Sequence, residues 1–179
     1  MVVAKNLQSH SILVQQLQER SVEREYEAIV HGVLTGGGII DAPLGRHPVN
    51  RKKKAVVVKG KDSITHYRVL QRFRSHTHVQ LNLQTGRTHQ IRVHMTHINH
   101  SLVGDPLYGG RLQLPAACSE EFEQNLRNFK RQALHARRLA LVHPTSEQKL
   151  SWEVVAPDDF QQLLSAIKND FRIIEGLGE

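Results

Sequence analysis

The alternation of apolar and polar positions divides the chain into a series of strands with helices set among them. A helix is expected around Gln8 to Glu19, with Ile12, Leu13 and Leu17 on a common side. Ahead of it, Met1-Val2-Val3-Ala4-Lys5 reads as a strand already under way, with no polar lead-in. Arg24 to Gly32 (REYEAIVHG) alternates as a strand that places Tyr26, Ala28 and Val30 on one face. Gly36-Gly37-Gly38 is a turn signal, Ile39 to Leu44 a short strand, and RHPVNRKKK (46–54) a basic loop. Val56–Val58, Thr65–Phe73 and Thr77–Leu83 read as further strands, the last setting Val79, Leu81 and Leu83 against Thr77, His78, Gln80 and Asn82. An antiparallel sheet is the natural product of such a series.

Gly86 then breaks the pattern. Thr88 is placed to cap a helix carrying Ile91, Met95 and Ile98 at spacings of four and three. Ser119 to Lys130 forms another helix, with Ser119 as cap and Glu120 and Glu121 suiting the dipole of its first turn. Strands around Ala133–Val142 and Lys149–Val155 follow. The last helix begins after Pro157 and carries the stripe Phe160, Leu163, Leu164, Ile167 and Phe171. The expected fold is α+β, a mixed but largely antiparallel sheet flanked by helices, in one domain spanning 1–179.

Charge changes the picture. Twenty-four basic against 17 acidic residues give +7, and the pI is about 9.9, so a polyanionic partner is favoured over a neutral one. The single cysteine, Cys118, excludes an intramolecular disulfide and a thiol-rich zinc site. No apolar run approaches the length of a membrane span, and the amino terminus has no apolar signal core, which reads as cytoplasmic with no membrane partner.

The candidate chemistry is concentrated in LQTGRTHQIRVHMTHINHSLVGDPLYGG, residues 83–110. Three readings compete for it. His89, His94, His97 and His100 suggest a metal, but HExxH is absent and no acidic residue completes a recognised ligand pattern. The turn Thr85-Gly86-Arg87-Thr88 leads into a helix N-terminus, which suits an anion such as an RNA phosphate. Arg92, at the edge of the buried stripe, suits either a structural ion pair or a catalytic carboxylate partner.

The run L-x-T-G-R-T-H-Q-I-R-V-H followed by H-x-L-V-G-D-P-x-Y-G-G resembles the signature of the RluA/RluD-type pseudouridine synthases. REYEAIVHG, ITHYRVL, RQALHARRLALVHP and MVVAK resemble other stretches of that family. RHPVNRKKKAVV and LRNFKRQALHA are most similar to its RluD-like branch, which acts on large-subunit ribosomal RNA. The resemblance runs from residue 1 to about 170.

It implies an isomerase that breaks the N-glycosidic bond of a uridine taken out of its stack, turns the base and rejoins it through C5. Substrate and product are isomers, so no cofactor is implied. The partner is ribosomal RNA, with neither DNA nor a metal expected. Tyr26 matches the family's active-site tyrosine, although pattern alone favours a buried core tyrosine. Arg92 matches the arginine that pairs with the catalytic aspartate, while Arg87, His89 and Gln90 shape the pocket or bind RNA. Leu150 and Val154 are candidate apolar walls, and Asp105 matches a structural G-D-P turn.

In the family the catalytic aspartate lies in R-L-D-x-x-T-S-G-L, directly before the strand that MVVAK resembles. No aspartate of this chain, Asp41, Asp62 and Asp105 included, stands in that context. The expectation is an incomplete catalytic domain without the aspartate segment and without the S4-like RNA-binding domain of RluD-type relatives. Arg92 is then expected to lack its partner, and the sheet to expose apolar surface. The alternative to a severed enzyme is a non-catalytic RNA-binding remnant.

Overall fold

A computed structural model describes residues 2–174 and 176. Helix α1 (Leu7–Gln18) is capped by Asn6, whose side chain accepts from the Ser9 N–H. Strands β1 (Glu23–His31), β2 (Gly38–Asp41), β3 (Leu44–Arg46), β4 (Lys54–Val56), β5 (Ile64–Arg72) and β6 (His76–Leu83) follow, then helices α2 (Gln90–His97) and α3 (Glu120–Asn128), strands β7 (Leu134–Val142) and β8 (Lys149–Glu153), and helix α4 (Asp158–Ile174).

Six strands form one sheet in the order β2-β5-β6-β1-β7-β8, and β3 and β4 form a separate hairpin. Every pairing between these strands is antiparallel. The α+β architecture with a largely antiparallel sheet therefore stands. The strand expected at residues 1–5 does not: residues 2–4 adopt no regular structure, and Val2 and Val3 are exposed with no described strand beside them to take up their hydrogen bonds. The apolar run 56–58 also contributes little, since β4 ends at Val56 and Val58 is almost fully exposed.

Both faces of the sheet are covered, which the alternation in β6 did not suggest. From His76 to Leu81 every residue of that strand is buried. One face carries Ala28, Val30, Val79 and Leu81 against Ile91 and Met95 of α2. The opposite face carries Ile29 against Phe122 and Leu126 of α3 and Phe160, Leu163, Ala166 and Ile167 of α4. Full burial of each large apolar side chain is worth about 1.5–3 kcal/mol, so the stripe of α4 alone anchors that layer.

The polar positions of β6 tolerate burial because neighbouring strands supply partners. Gln80 donates to Glu25 and accepts from Arg68, and His78 lies 3.2 Å from Glu27. Arg137 in turn donates to Glu27 and Glu153. At the sheet's far end Gln16 of α1 exchanges two hydrogen bonds with Val142, donating to its carbonyl at 2.7 Å and accepting from its N–H at 3.0 Å. The outer strand β8 leaves Trp152 exposed, with Val154 and Val155 beyond it exposed as well.

Candidate active site

The turn between β6 and α2 is built by an amide, not by the expected hydroxyl cap. His89, not Thr88, occupies the N-cap position of α2, and it does so in the left-handed region at φ 61° with no side-chain cap bond. The capping oxygen comes from Gln90, whose Oε1 accepts from the Arg87 N–H (3.0 Å) and the Thr85 hydroxyl (2.9 Å). Its Nε2 donates to the Ile64 carbonyl and the Thr65 hydroxyl oxygen, both at 3.0 Å. All the ordinary hydrogen-bonding directions of this buried amide are thus filled from within the protein. Gln90 holds the turn and has nothing left to offer RNA.

The chain of bonds continues into α2. His94 is fully buried, with Nδ1 2.9 Å from the Thr65 hydroxyl and Nε2 3.0 Å from the Ala42 carbonyl. A carbonyl only accepts, so Nε2 carries the proton. Burial holds the ring's pKa below its ordinary value, which leaves Nδ1 free of a proton and accepting from Thr65. Thr85, Gln90, Thr65 and His94 therefore form one buried, directional network tying β5, the G-R-T turn and α2 to the β2–β3 corner. The sequence singled out only Gln90 and, as a metal candidate, His94. Both ring nitrogens of His94 are engaged in this network, His89 faces Tyr108, and His100 bonds the His31 carbonyl. Among the described residues no group of three potential ligands converges on a metal.

Arg92 projects from α2 onto Asp105, with Nε–Oδ2 and Nη2–Oδ1 both at 2.7 Å. The expectation that Arg92 lacks a partner is corrected here: the G-D-P aspartate supplies one. The Asp105 side chain is completely buried, and its Oδ1 also accepts from the N–H groups of Leu107 (2.9 Å) and Tyr108 (3.0 Å). Burial raises its pKa, but Arg92 and these two N–H groups more than offset that and hold the carboxyl below its usual range. The hydrogen bond to Asp105 in turn raises Arg92.

Tyr108, which sequence reasoning passed over within the Y-G-G turn, ties these parts together. Its hydroxyl accepts from the Lys54 N–H at 2.8 Å and lies 3.1 Å from His89 Nδ1. Its ring lies under the Arg92 guanidinium, 4.9 Å from centroid to Cζ. Tyr26 is half-buried and packs on the cluster that contains Ile91 and Met95, so it shares the α2 side of the sheet with Arg92. Val154 is on the other side: it lines a cavity with Glu27, Arg137 and Phe160, away from Tyr26, and so supplies no wall beside it. Leu150 of β8 pairs with Leu141 of β7.

Beside the turn lies a cleft of about 590 Å³ lined by Arg46, Lys54, Lys59, Lys61 and Arg87, with no acidic residue in its wall. Arg87 is exposed, and among the described residues its side chain makes one hydrogen bond, a long 3.4 Å bond to the Asp62 carbonyl. Five cations facing one concavity concentrate a positive potential there.

Comparison with known proteins agrees with this arrangement. The sequence model described as RNA pseudouridylate synthase matches residues 1–97. Ribosomal large subunit pseudouridine synthase D of Pseudomonas aeruginosa is 59% identical over 170 residues, covering 95% of this chain and 53% of that protein. Its namesake from Escherichia coli K12 is 50% identical over 171 residues, covering 96% and 52%. The chain thus spans about half the length of these curated relatives. Among solved structures, human RNA Pseudouridylate Synthase Domain Containing 1 aligns with a TM-score of 0.67 at 27% identity, covering 92% of this chain and 66% of that one. Domain Containing 4 aligns at 0.71 and 24%, covering 94% and 70%, a likeness of fold. With the G-R-T-H-Q-I-R turn and helix, the arginine they present and the tyrosine on the same side of the sheet, this chain belongs to the RNA pseudouridylate synthase family.

Proposed function

We propose that the chain is the carboxy-terminal portion of a pseudouridine synthase catalytic domain, and that the whole protein isomerises uridine in large-subunit ribosomal RNA. The observation that supports this reading is that Tyr26 and Arg92 share the α2 side of the sheet, while the turn leading into α2 lines a cleft walled by Arg46, Lys54, Lys59, Lys61 and Arg87. An extruded uridine needs an aromatic wall, and Tyr26 provides one two strand positions from the buried Ala28. The cationic cleft suits the RNA backbone, whose phosphates are neutralised by lysine and arginine with release of counterions. The relatives named above for the ribosomal large subunit support that RNA as the partner.

Four roles follow for this chain's own residues. Tyr26 stands against the base and is the candidate to remove the proton at C5. Arg92 presents the guanidinium that keeps a carboxylate ionised. Arg87 and the cleft lysines Lys54, Lys59 and Lys61 hold phosphate, and Gln90 with His94 fixes the turn and helix from which Arg87 and Arg92 project. A carboxylate to attack or support the sugar is required in addition, and R-L-D-x-x-T-S-G-L is the family's source of it. The reading places the protein with RNA-modifying proteins of the cytoplasm; no described helix is long and apolar enough to cross a membrane.

Tritium release from ribosomal RNA labelled at uridine C5 tests this. The chain supplemented with a peptide carrying R-L-D-x-x-T-S-G-L is expected to release tritium, and Tyr26→Phe to abolish release. RNA binding with no release under any supplementation overturns the enzymatic reading in favour of a binding remnant.

A further inference from the structure

Arg24 is weakly held for a partly buried arginine. Its Nε is buried with no hydrogen-bond partner, and its one protein acceptor is the Leu83 carbonyl, at the 3.5 Å limit from Nη2. No carboxylate pairs with it among the described residues. Arg92 by contrast holds a bidentate aspartate at 2.7 Å, and Arg74, whose Nε is likewise unpartnered, still donates to the Ala116 carbonyl at 2.6 Å and reaches Asp170 at 3.4 Å. A guanidinium taken partly out of water without a counter-charge is costly, and proteins keep such groups where an anion completes them.

Its position says which anion. A Cβ on Gly86 would meet Arg24 Nη1, so the guanidinium occupies the space that the glycine of the G-R-T turn leaves open. The next residue of that turn, Arg87, lines the cationic cleft together with Gly86 itself. Arg24 and Tyr26 are two apart on β1 and so point to the same face, about 7 Å apart along the strand. That is the reach from a nucleotide's base to its own phosphate.

We propose that Arg24 binds the phosphodiester of the extruded nucleotide whose base stands against Tyr26, with Arg87 as the second arm across Gly86. This rests on the reading of Tyr26 as the base-facing residue. Arg24 is then a substrate-binding residue in its own right, and a side chain at Gly86 would make its guanidinium shift.

The test compares wild type, Arg24→Met, Arg24→Lys and Gly86→Ala by fluorescence anisotropy on a single-stranded uridine-containing RNA across a salt series, with melting temperatures measured in parallel. Arg24→Met is expected to weaken binding several-fold and to reduce the slope of log K against log salt by about 0.7, the value for one phosphate on a single strand. Its melting temperature should hold or rise, because an uncompensated charge is replaced by an apolar chain. Arg24→Lys should keep the slope and lose part of the affinity. Gly86→Ala, which shifts the guanidinium but keeps its charge, should lower affinity less than Arg24→Met and keep the slope. An unchanged slope and affinity in Arg24→Met overturns the proposal, as does a lowered melting temperature with normal binding, which marks a structural strut. Inorganic phosphate as competitor separates a general anion site, displaced at equal cost for wild type with any polyanion, from one specific to the nucleotide; equal competition overturns the nucleotide assignment. Failure of wild type itself to bind RNA refutes the underlying functional reading and is distinct from all of these.

Discussion

Replacing Asp105 by asparagine removes the charge from a side chain that is fully buried and bidentate with a guanidinium only 12% exposed. Asparagine retains an oxygen for the Leu107 and Tyr108 N–H groups, so the turn itself survives. What is lost is the compensation of Arg92. Breaking a buried pair from one side costs about 3–5 kcal/mol, because the remaining charge stays desolvated. For a chain of this length each kcal/mol shifts the midpoint by roughly 2–4 °C, so a fall of roughly 6–20 °C is expected by calorimetry. Arg92→Met in the same background should recover part of that loss, since it removes the stranded charge. The double-mutant cycle is therefore expected to show coupling of about 2 kcal/mol or more. The pair also sets an acid limit: Asp105 titrates below the ordinary carboxylate range when folded, so its contribution is complete above about pH 4 and is lost as pH falls through the folded value. A single variant within about 0.5 kcal/mol of wild type, or coupling near zero, would refute the claim that Asp105 secures Arg92.

Three further outcomes follow from the structure. His76 is buried with its pKa pushed down to about 3, mainly by burial and then by His31, so the unfolded chain takes up a proton near pH 6.5 that the folded chain refuses. Stability should fall by about 1.4 kcal/mol between pH 7.5 and 5.5 from this residue alone, and urea titrations of His76→Gln should show a shallower fall. Gln90→Met keeps the side chain's length and removes four hydrogen bonds, which should cost about 3 kcal/mol or more in urea unfolding and loosen Arg87; a loss under 1 kcal/mol would mean the network contributes little. Tyr26→Phe should leave stability within about 0.5 kcal/mol and RNA affinity unchanged, since the hydroxyl bonds none of the described residues, so any effect on tritium release is chemical.

The strands, the helices and the face shared by Tyr26, Ala28 and Val30 were legible because period and burial coincide in them. The failures have a common cause: they depend on what lies across the space between elements. The polar side of β6 reads as solvent-facing until α3, α4 and the partners from β1, β5 and β7 are in place. Thr88 reads as a cap because it is the conventional residue, whereas Gln90, one position inside the helix, reaches back to the turn and forward to β5 at once. Arg92 and Asp105 are 13 residues apart, and no periodicity connects them. Arg24 offers no sequence signal at all: it is one cation among 24, and only the close approach of Gly86 marks it.

The pairing of Arg92 with Asp105 is compatible with the role that the family resemblance gives Arg92. A guanidinium has five N–H donors, and Asp105 takes one from Nε and one from Nη2. The Nη1 side is not used by Asp105, and the Tyr108 ring beside Arg92 Cζ offers it no carboxylate. A second carboxylate can therefore accept from the same guanidinium without displacing the first. Asp105 then fixes the orientation of the plane, and the turn network of Gln90 and His94 fixes the helix that carries it. An arginine so restrained meets an incoming carboxylate with little rotamer entropy left to lose, which is the condition for a charge-assisted bond to position its partner and not merely attract it.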